Sequence, residues 1–538
     1  MSEAADAFDA LTAEFFAVWL RFHPDLAYEA GVAGYEHLLP AHSDDALAAL
    51  GGWLETLVVA LEELDFGALD ADRRIDLQLM FGAARLEHQE LLTRDWRHRD
   101  PLRFLPVSAI HRLTLQPPAN VREALASLLA AVPEHLRLAA AHLRPMAELV
   151  PVLLVDAAMD QAERGRCYLS ALLRSPWLRH TCYGWSEIER LFDAACTALT
   201  GYREALRAEV RPRAAGRLGC GEEHLRIRLR LRHFLDLDPG RARAALGEAL
   251  AECEAALEAL RTELGFEAGE ARLYLARRGV DRARRLDTCR REVERLEVFL
   301  RQTGVLSLPR ARLRVVERHA CPSPRSTASF YIPDRAAQRG TLYTAAGEGD
   351  EPRARVRARC LDGGWAGQHL LAFAAGDAGW RLPRRLSAGE GFSAAWSLYL
   401  RERLAELGFL DREDRLLALL ERAEAIRLAL LDLDLHSGGL DANAAGEGPA
   451  VGSGVAVDDL VPLVRRPGTA LAGVLGWQAL RRARTEAAER EGRAFRESRF
   501  HDHLLANCGI PPYLMLNAQD GDACFHLYPA AERELGTA

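Results

Sequence analysis

The sequence predicts a mainly α protein carrying one small antiparallel sheet, and three observations support this. Apolar residues recur at steps of three and four through most of the 538 residues, which is the helical period. Between residues 306 and 346 the character changes to short β-branched and aromatic runs punctuated by Pro and Gly. Hydrophobic content of 49% and charged content of 27% are ordinary for a globular chain with a sizeable core.

From Ala4 to Leu64 the helical stripe is Phe8, Leu11, Phe15, Trp19 and Phe22, broken at Pro24, which cannot donate to a helix already under way. A further amphipathic helix runs from Ile75 to Thr93 with Ile75, Leu79, Ala83 and Leu86 on one face. Residues 120–300 form a long helical tract, in which Leu250, Cys253, Leu257, Leu260 and Leu264 mark a clean apolar face. Within it, Glu223–Arg232 alternates apolar and basic residues, so period alone allows a strand. The surroundings favour a helix with charged flanks. The acidic residues Glu222, Glu223, Asp236 and Asp238 around it argue for a solvated face over a nucleic-acid footprint.

Three strands are expected at Leu313–Glu317, Ala328–Ile332 and Thr341–Thr344. Two helices follow, one through Gly364–Ala375 after a Gly-rich turn and one from about Gly391 to Leu407. Leu416–Leu435 is helical and ends at His436-Ser437-Gly438-Gly439, and the Gly- and Ala-rich residues 437–456 read as a surface insertion. Another helix opens near Thr469.

Several chemistries are excluded. The chain has no lysine, so Schiff-base and P-loop lysine chemistry cannot occur. None of its ten cysteines forms a C-x-x-C pair, and they are expected to be reduced and mostly buried. There is no Gly-x-Ser-x-Gly elbow and no Gly-x-Gly-x-x-Gly after a strand. A net charge of -8 over this length implies no polyanion partner. The acidic N-terminus lacks a signal pattern and no apolar run approaches the roughly 20 residues of a membrane span, so a cytoplasmic protein without membrane or nucleic-acid partners is expected.

The stretch Asp362-Gly363-Gly364-Trp365-Ala366-Gly367-Gln368-His369, followed by Ala394-Ala395-Trp396-Ser397-Leu398-Tyr399, resembles the active-site helices of a bacterial family of helical, zinc-peptidase-like proteins, domain-of-unknown-function family 885. That family carries His-Glu-Ala-Tyr-Pro-Gly-His-His and Glu-Gly-Trp-Ala-Leu-Tyr at these places. Phe330, Tyr331, Pro333, Gly340 and Tyr343 match its preceding strands, while Trp19, Pro24, Gly34 and Tyr35 match its opening helices loosely. Asp432 and His436 match its Asp and His before a Gly, and Phe500-His501-Asp502 its closing segment. The resemblance implies a large helical metallopeptidase-like assembly, an N-terminal lobe over 1–305 and a C-terminal lobe over 306–538. In it the small sheet lines a central cleft floored by Phe330, Tyr331, Tyr343, Trp365, Trp396 and Tyr399.

The chemistry does not carry over. Asp362 stands at the first implied ligand His, Gly363 at the general-base Glu, Gln368 at the second ligand His and Ala394 at the ligand Glu. Such a site needs three ligands and a carboxylate to activate water, so no catalytic residue, bound zinc or other cofactor is expected. Thr469 and Gly473 likewise replace a polar Gln and Tyr that the family aims at the site. Kept packing with lost chemistry is the pattern of a pseudoenzyme that retains a cleft for a peptide, small molecule or partner protein. The competing expectation is a rebuilt metal or metal-free acid/base site drawing on Asp362, His369, Glu390, Glu402, Asp432 and His436. For Asp362 a helix N-cap is an alternative, and Glu402 and Glu406 with Arg401 and Arg403 read as a solvated helical face. Oligomeric state is not legible.

Overall fold

The computed structural model describes residues 3–182, 186–267, 269–317, 330–344, 349–374, 381–387, 390–438 and 457–519. Among them helices dominate and three main cores organise the chain. The first core is built by α1 (Glu3–Phe22), α2 (Pro24–Glu29), α3 (Asp44–Glu62) and α4 (Ala71–Thr93). As the stripe predicts, Phe8, Phe15 and Trp19 are buried there, against Leu50, Leu54, Leu61 and Phe81. Pro24 takes the first turn of α2, where its missing N–H costs nothing. Ser43 caps α3 by accepting from the Ala46 amide.

The second core gathers α5 (Val107–Leu115), α6 (Val121–Leu143), α7 (Val152–Leu173), α8 (Pro176–Thr181) and α9 (Ile188–Ala205). Helix α6 is long and apolar enough to cross a membrane by length and composition, contrary to the sequence expectation that no run approaches that length. Half of its most apolar stretch is buried inside the protein, with Leu125, Leu128, Leu129, Val132 and Leu136 in the core.

The largest core joins α10 (Glu222–His233), α11 (Pro239–Leu264) and α13 (Arg282–Thr303) to the C-terminal helices. Helix α12 (Ala271–Ala276) packs on a satellite cluster with Leu260, Ala354, Ala358 and Leu416. The Arg-rich run is therefore helical: Leu225 and Leu229, one turn apart, face the core. Asp238 and Asp281 cap α11 and α13, and Gly265 and Gly304 end them in the left-handed conformation that glycine adopts without strain. Because α10, α11 and α13 share a core with the helices beyond residue 306, the cores run across the boundary expected at 305.

Two small sheets lie between these helices. β1 (Gly279–Val280) pairs antiparallel with β5 (Glu351–Pro352). β2 (Arg312–Val316), β3 (Phe330–Asp334) and β4 (Arg339–Tyr343) form a second sheet in the order β2-β4-β3. The strands fall where the sequence places them, although Ala328 and Ser329 lie outside the described residues. Their pairing corrects the expectation of an antiparallel sheet: β4 is antiparallel to β3 but parallel to β2, so the sheet is mixed. Tyr331, Gly340 and Leu342 share its inner face by register, while Ile332, Thr341 and Tyr343 belong to the other.

The chain then forms α14 (Arg353–Gly363), α15 (Gln368–Phe373), α16 (Leu382–Ser387), α17 (Glu390–Glu406) and α18 (Arg412–Ser437). It closes with α19 (Val457–Arg465), α20 (Thr469–Glu491), α21 (Glu497–Ala506) and α22 (Pro512–Gln519). Ala375 and the insertion over 439–456 lie outside the described residues.

Candidate functional site

The site that the sequence singles out sits where α14 ends, α15 begins and α17 crosses them. Asp362 is in the last turn of α14, so it is not an N-cap. Its carboxylate is taken by Arg401 of α17, whose Nε donates to Oδ1 at 3.1 Å while Nη2 pairs with Oδ2. Ser397 adds a hydroxyl donor to Oδ1 at 2.8 Å. The second Arg401 amine pairs with Glu421 on α18. Burial disfavours the guanidinium charge, yet the two carboxylates more than offset it and raise the Arg401 pKa. Arg401 is seven residues after Ala394, two turns along the same helical face. A cation thus occupies the carboxylate that stands at the implied first ligand. The expected solvated face on α17 is corrected as well. Arg403 pairs with Glu497 and is nearly buried, and Glu402 accepts from the Trp477 indole at 3.0 Å.

The turn after Asp362 is closed by backbone contact. A Cβ at Gly363 would come within 2.5 Å of Leu342 Cδ1, and one at Gly367 would strike the Asp362 carbonyl. A side chain at the position of the implied general base would therefore have to displace the buried Leu342 side chain. Gln368, at the second implied ligand, is exposed. Ala394, at the third, is exposed beside Gly473 of α20, where a Cβ would meet the Ala394 methyl at 2.9 Å. The place of the implied ligand Glu and its implied Tyr neighbour is thus a close approach of two helices through small residues. These residues do not fit a zinc ion: one position holds a paired Asp, one an exposed amide, and two no ligating atom. Among the described residues no group of three or more His, Cys, Asp or Glu could hold a metal ion.

His369 is fully buried and both ring nitrogens are engaged. The Ala311 carbonyl can only accept, so Nε2 carries the proton and donates to it at 3.1 Å. Nδ1 then accepts from the Tyr331 hydroxyl at 2.8 Å. Burial lowers the His369 pKa to about 4, leaving the ring neutral. Gly340 is required beneath this pair, because a Cβ there would collide with the Tyr331 hydroxyl.

Asp432 and His436 come together, one turn apart on α18 and fully buried, yet each is bound to backbone. Asp432 accepts from the Gly468, Ala470 and Leu471 amides at 2.9, 3.1 and 3.2 Å, which caps α20 from a neighbouring helix. Burial raises its pKa to about 6 in spite of those donors. His436 accepts from the Cys220 amide at 3.0 Å and donates to the Leu463 carbonyl at 3.1 Å, and burial lowers its pKa to about 4. The side chain of Glu390, first residue of α17, lies outside the described residues, as does that of Phe330. Asp432 and His436 thus lie side by side, with His436 Nε2 3.5 Å from Asp432 Oδ1, while Asp362 and His369 each keep separate partners and do not join them.

Of the expected cleft residues, Trp365, Trp396 and Tyr399 are core residues. The Trp396 indole donates to the Ala366 carbonyl at 2.9 Å and holds the glycine turn against α17. Tyr399 bonds to His501 Nε2 at 2.7 Å, and His501 Nδ1 donates to the Val305 carbonyl at 2.9 Å. Tyr331 on the inner face of the sheet and Tyr343 on the outer one are both half-buried. An open hollow of about 400 Å³ lies instead on the far side of Arg401. Its walls include Leu260 of α11, Glu402 and Ala405 of α17, and Ala418 and Arg422 of α18. Neither Arg401 nor this hollow was singled out from sequence. The available signal was an arginine on the helical face of the missing ligand.

Two solved structures share this fold. One, from Shewanella oneidensis, is described as a "putative lipoprotein of unknown function"; it is 15% identical, with a TM-score of 0.73 over 97% of this chain and 100% of that one. The other, a "putative lipoprotein" from Colwellia psychrerythraea, is 15% identical, with a TM-score of 0.78 over 97% and 99%. These descriptions run against the cytoplasmic placement expected from the sequence, which is withdrawn. Its grounds were the N-terminal residues and the lack of a spanning run, and a protein held by lipid needs no span. No curated protein matches the chain. The model of the family described as "Bacterial protein of unknown function (DUF885)" matches residues 24–519, and the chain belongs to that family.

Proposed function

We propose that this chain is a binding member of its family that does not hydrolyse peptides through zinc. The observation that carries this is the Asp362–Arg401–Glu421 ion-pair chain across the place of the implied metal chemistry. A guanidinium there repels a divalent cation and competes for the one carboxylate that could bind it. No alternative acid/base set replaces it, because His369, Asp432 and His436 are committed to structural hydrogen bonds. The hollow beside Arg401 is the binding site in this proposal. Its volume of about 400 Å³ suits a small ligand or a few peptide residues. Arg415, Arg422, Glu263 and Glu406 line it together with the apolar Leu260, Ala418 and Leu419, a mixed lining that suits a short peptide carrying both charge signs.

The test is incubation of the immobilised protein with a defined library of unmodified pentapeptides, followed by mass spectrometry of bound and free fractions. Intact peptides should be retained, and Ala405→Trp, which fills the hollow, should abolish retention. Cleavage products that disappear in Asp362→Ala would overturn the reading, and so would no retention at all.

A further inference from the structure

The sequence separates Cys289 and Cys360 widely, but the packing of α13 on α14 brings them together in the interior. Cys360 Sγ donates to the Cys289 carbonyl at 3.7 Å, and the two thiols are close enough to shift one another's pKa. Cys289 is the less buried of the two, 7% exposed against 2%. Arg285 and Arg359 lie near enough to act on its charge, against the opposing carboxylate of Glu351. We infer that Cys289 and Cys360 are an oxidisable pair, in which Cys289 reacts with a hydroperoxide and Cys360 resolves the product to a disulfide.

The electrostatics agree with this division of roles. The neighbouring Cys360 thiol lowers the Cys289 pKa despite burial, while the Cys289 neighbour together with burial raises that of Cys360. A thiolate is the nucleophile, so Cys289 attacks first. Its sulfur takes the terminal oxygen of the hydroperoxide, the O–O bond breaks, and the alkoxide or hydroxide leaves and picks up a proton. The Cys360 sulfur then attacks Sγ of the Cys289 sulfenic acid, the S–O bond breaks, and water leaves with the Cys360 proton. Two thiols and one hydroperoxide give one disulfide, one alcohol (or water) and one further water. Because Cys360 is two residues before Asp362, the bond would tie the helix bearing the Arg401 ion pair to α13.

The experiment treats the folded full chain with equimolar hydrogen peroxide, alkylates remaining thiols in denaturant and maps the digest by mass spectrometry. The expected product is a Cys289–Cys360 linked peptide two hydrogens lighter than its parts, released by a thiol reductant. In Cys360→Ser, Cys289 should go on to the sulfinic acid. In Cys289→Ser, Cys360 should stay fully alkylatable. Full alkylation of both thiols in the oxidised wild type would overturn the inference. So would reaction confined to the exposed Cys167, or linkage no greater in the folded chain than in the unfolded one.

Discussion

At Arg401 two carboxylates from different helices converge on one guanidinium that is largely out of water. Removing it leaves Asp362 and Glu421 facing each other without a counter-charge. Both are partly exposed, so the penalty is smaller than for a fully buried pair. Arg401→Ala should therefore destabilise the fold by about 2 kcal/mol in urea unfolding, within the range between exposed and buried pairs. A loss within about 0.5 kcal/mol of zero, as for an ordinary surface charge, would mean that Arg401 does not hold the site together. Gly363→Glu, which restores the implied general base, should cost about 1–3 kcal/mol through its collision with Leu342 and confer no hydrolysis. Measurable peptidase activity in that variant would contradict the pseudoenzyme reading. That Gly363 and Ala394 bring no ligating group was legible in the sequence, because a glycine and an alanine have none to offer. The replacement by Arg401 was not, because a charged residue on an amphipathic helix looks the same whether it faces water or a partner.

At the scale of elements, α17 and α20 form the most extensive helix pair, and small residues allow it. Gly473 lies against Ala394 and Gly476 against Ala395, so the backbones approach where longer side chains would hold them apart. Gly473→Leu should cost about 1–3 kcal/mol by overpacking, seen as a lower urea midpoint with an unchanged slope. A neutral result would show that the two helices can separate at that level without penalty. Most helices were legible from the three-to-four period, since the face that carries it is the face that becomes core. The strands were legible in place but not in pairing. Alternation reports which residues share a face, but β2 and β4 pair in parallel across an intervening strand, and no local turn signals that choice. The break between α14 and α15 was anticipated as a turn. What sequence left hidden is that Gly364 and Gly367 are there for close approach to the Cys360 and Asp362 carbonyls rather than for flexibility.

Over the whole molecule, several histidines are buried and held uncharged. Burial lowers the pKa of His42 and His233 to about 3, and of His135, His369 and His436 to about 4. The unfolded chain titrates these rings near about 6.5, so between the two values it binds more protons than the folded one. Their contribution is complete above about pH 6.5 and is lost as the pH falls toward 4. Asp414 and Asp432, raised to about 6 by burial, act the other way, because they favour the folded state below their unfolded pKa and cease to do so as the pH rises through 6. Rings with lowered pKa outnumber carboxyls raised by burial, so stability should fall from pH 6.5 to pH 4 with a net uptake of protons on unfolding. A flat profile over that window in thermal or urea unfolding would show that the rings are protonated in the folded state. Elemental analysis of the purified protein for zinc, after dialysis and again after zinc loading and dialysis, tests the central claim most directly. The Asp362–Arg401 pair, the crowded Gly363 and the ligand-free Ala394 predict no stoichiometric zinc in either sample. One zinc per chain retained in both would show that the site binds metal through residues other than those at the implied positions, and the non-hydrolytic reading would be wrong.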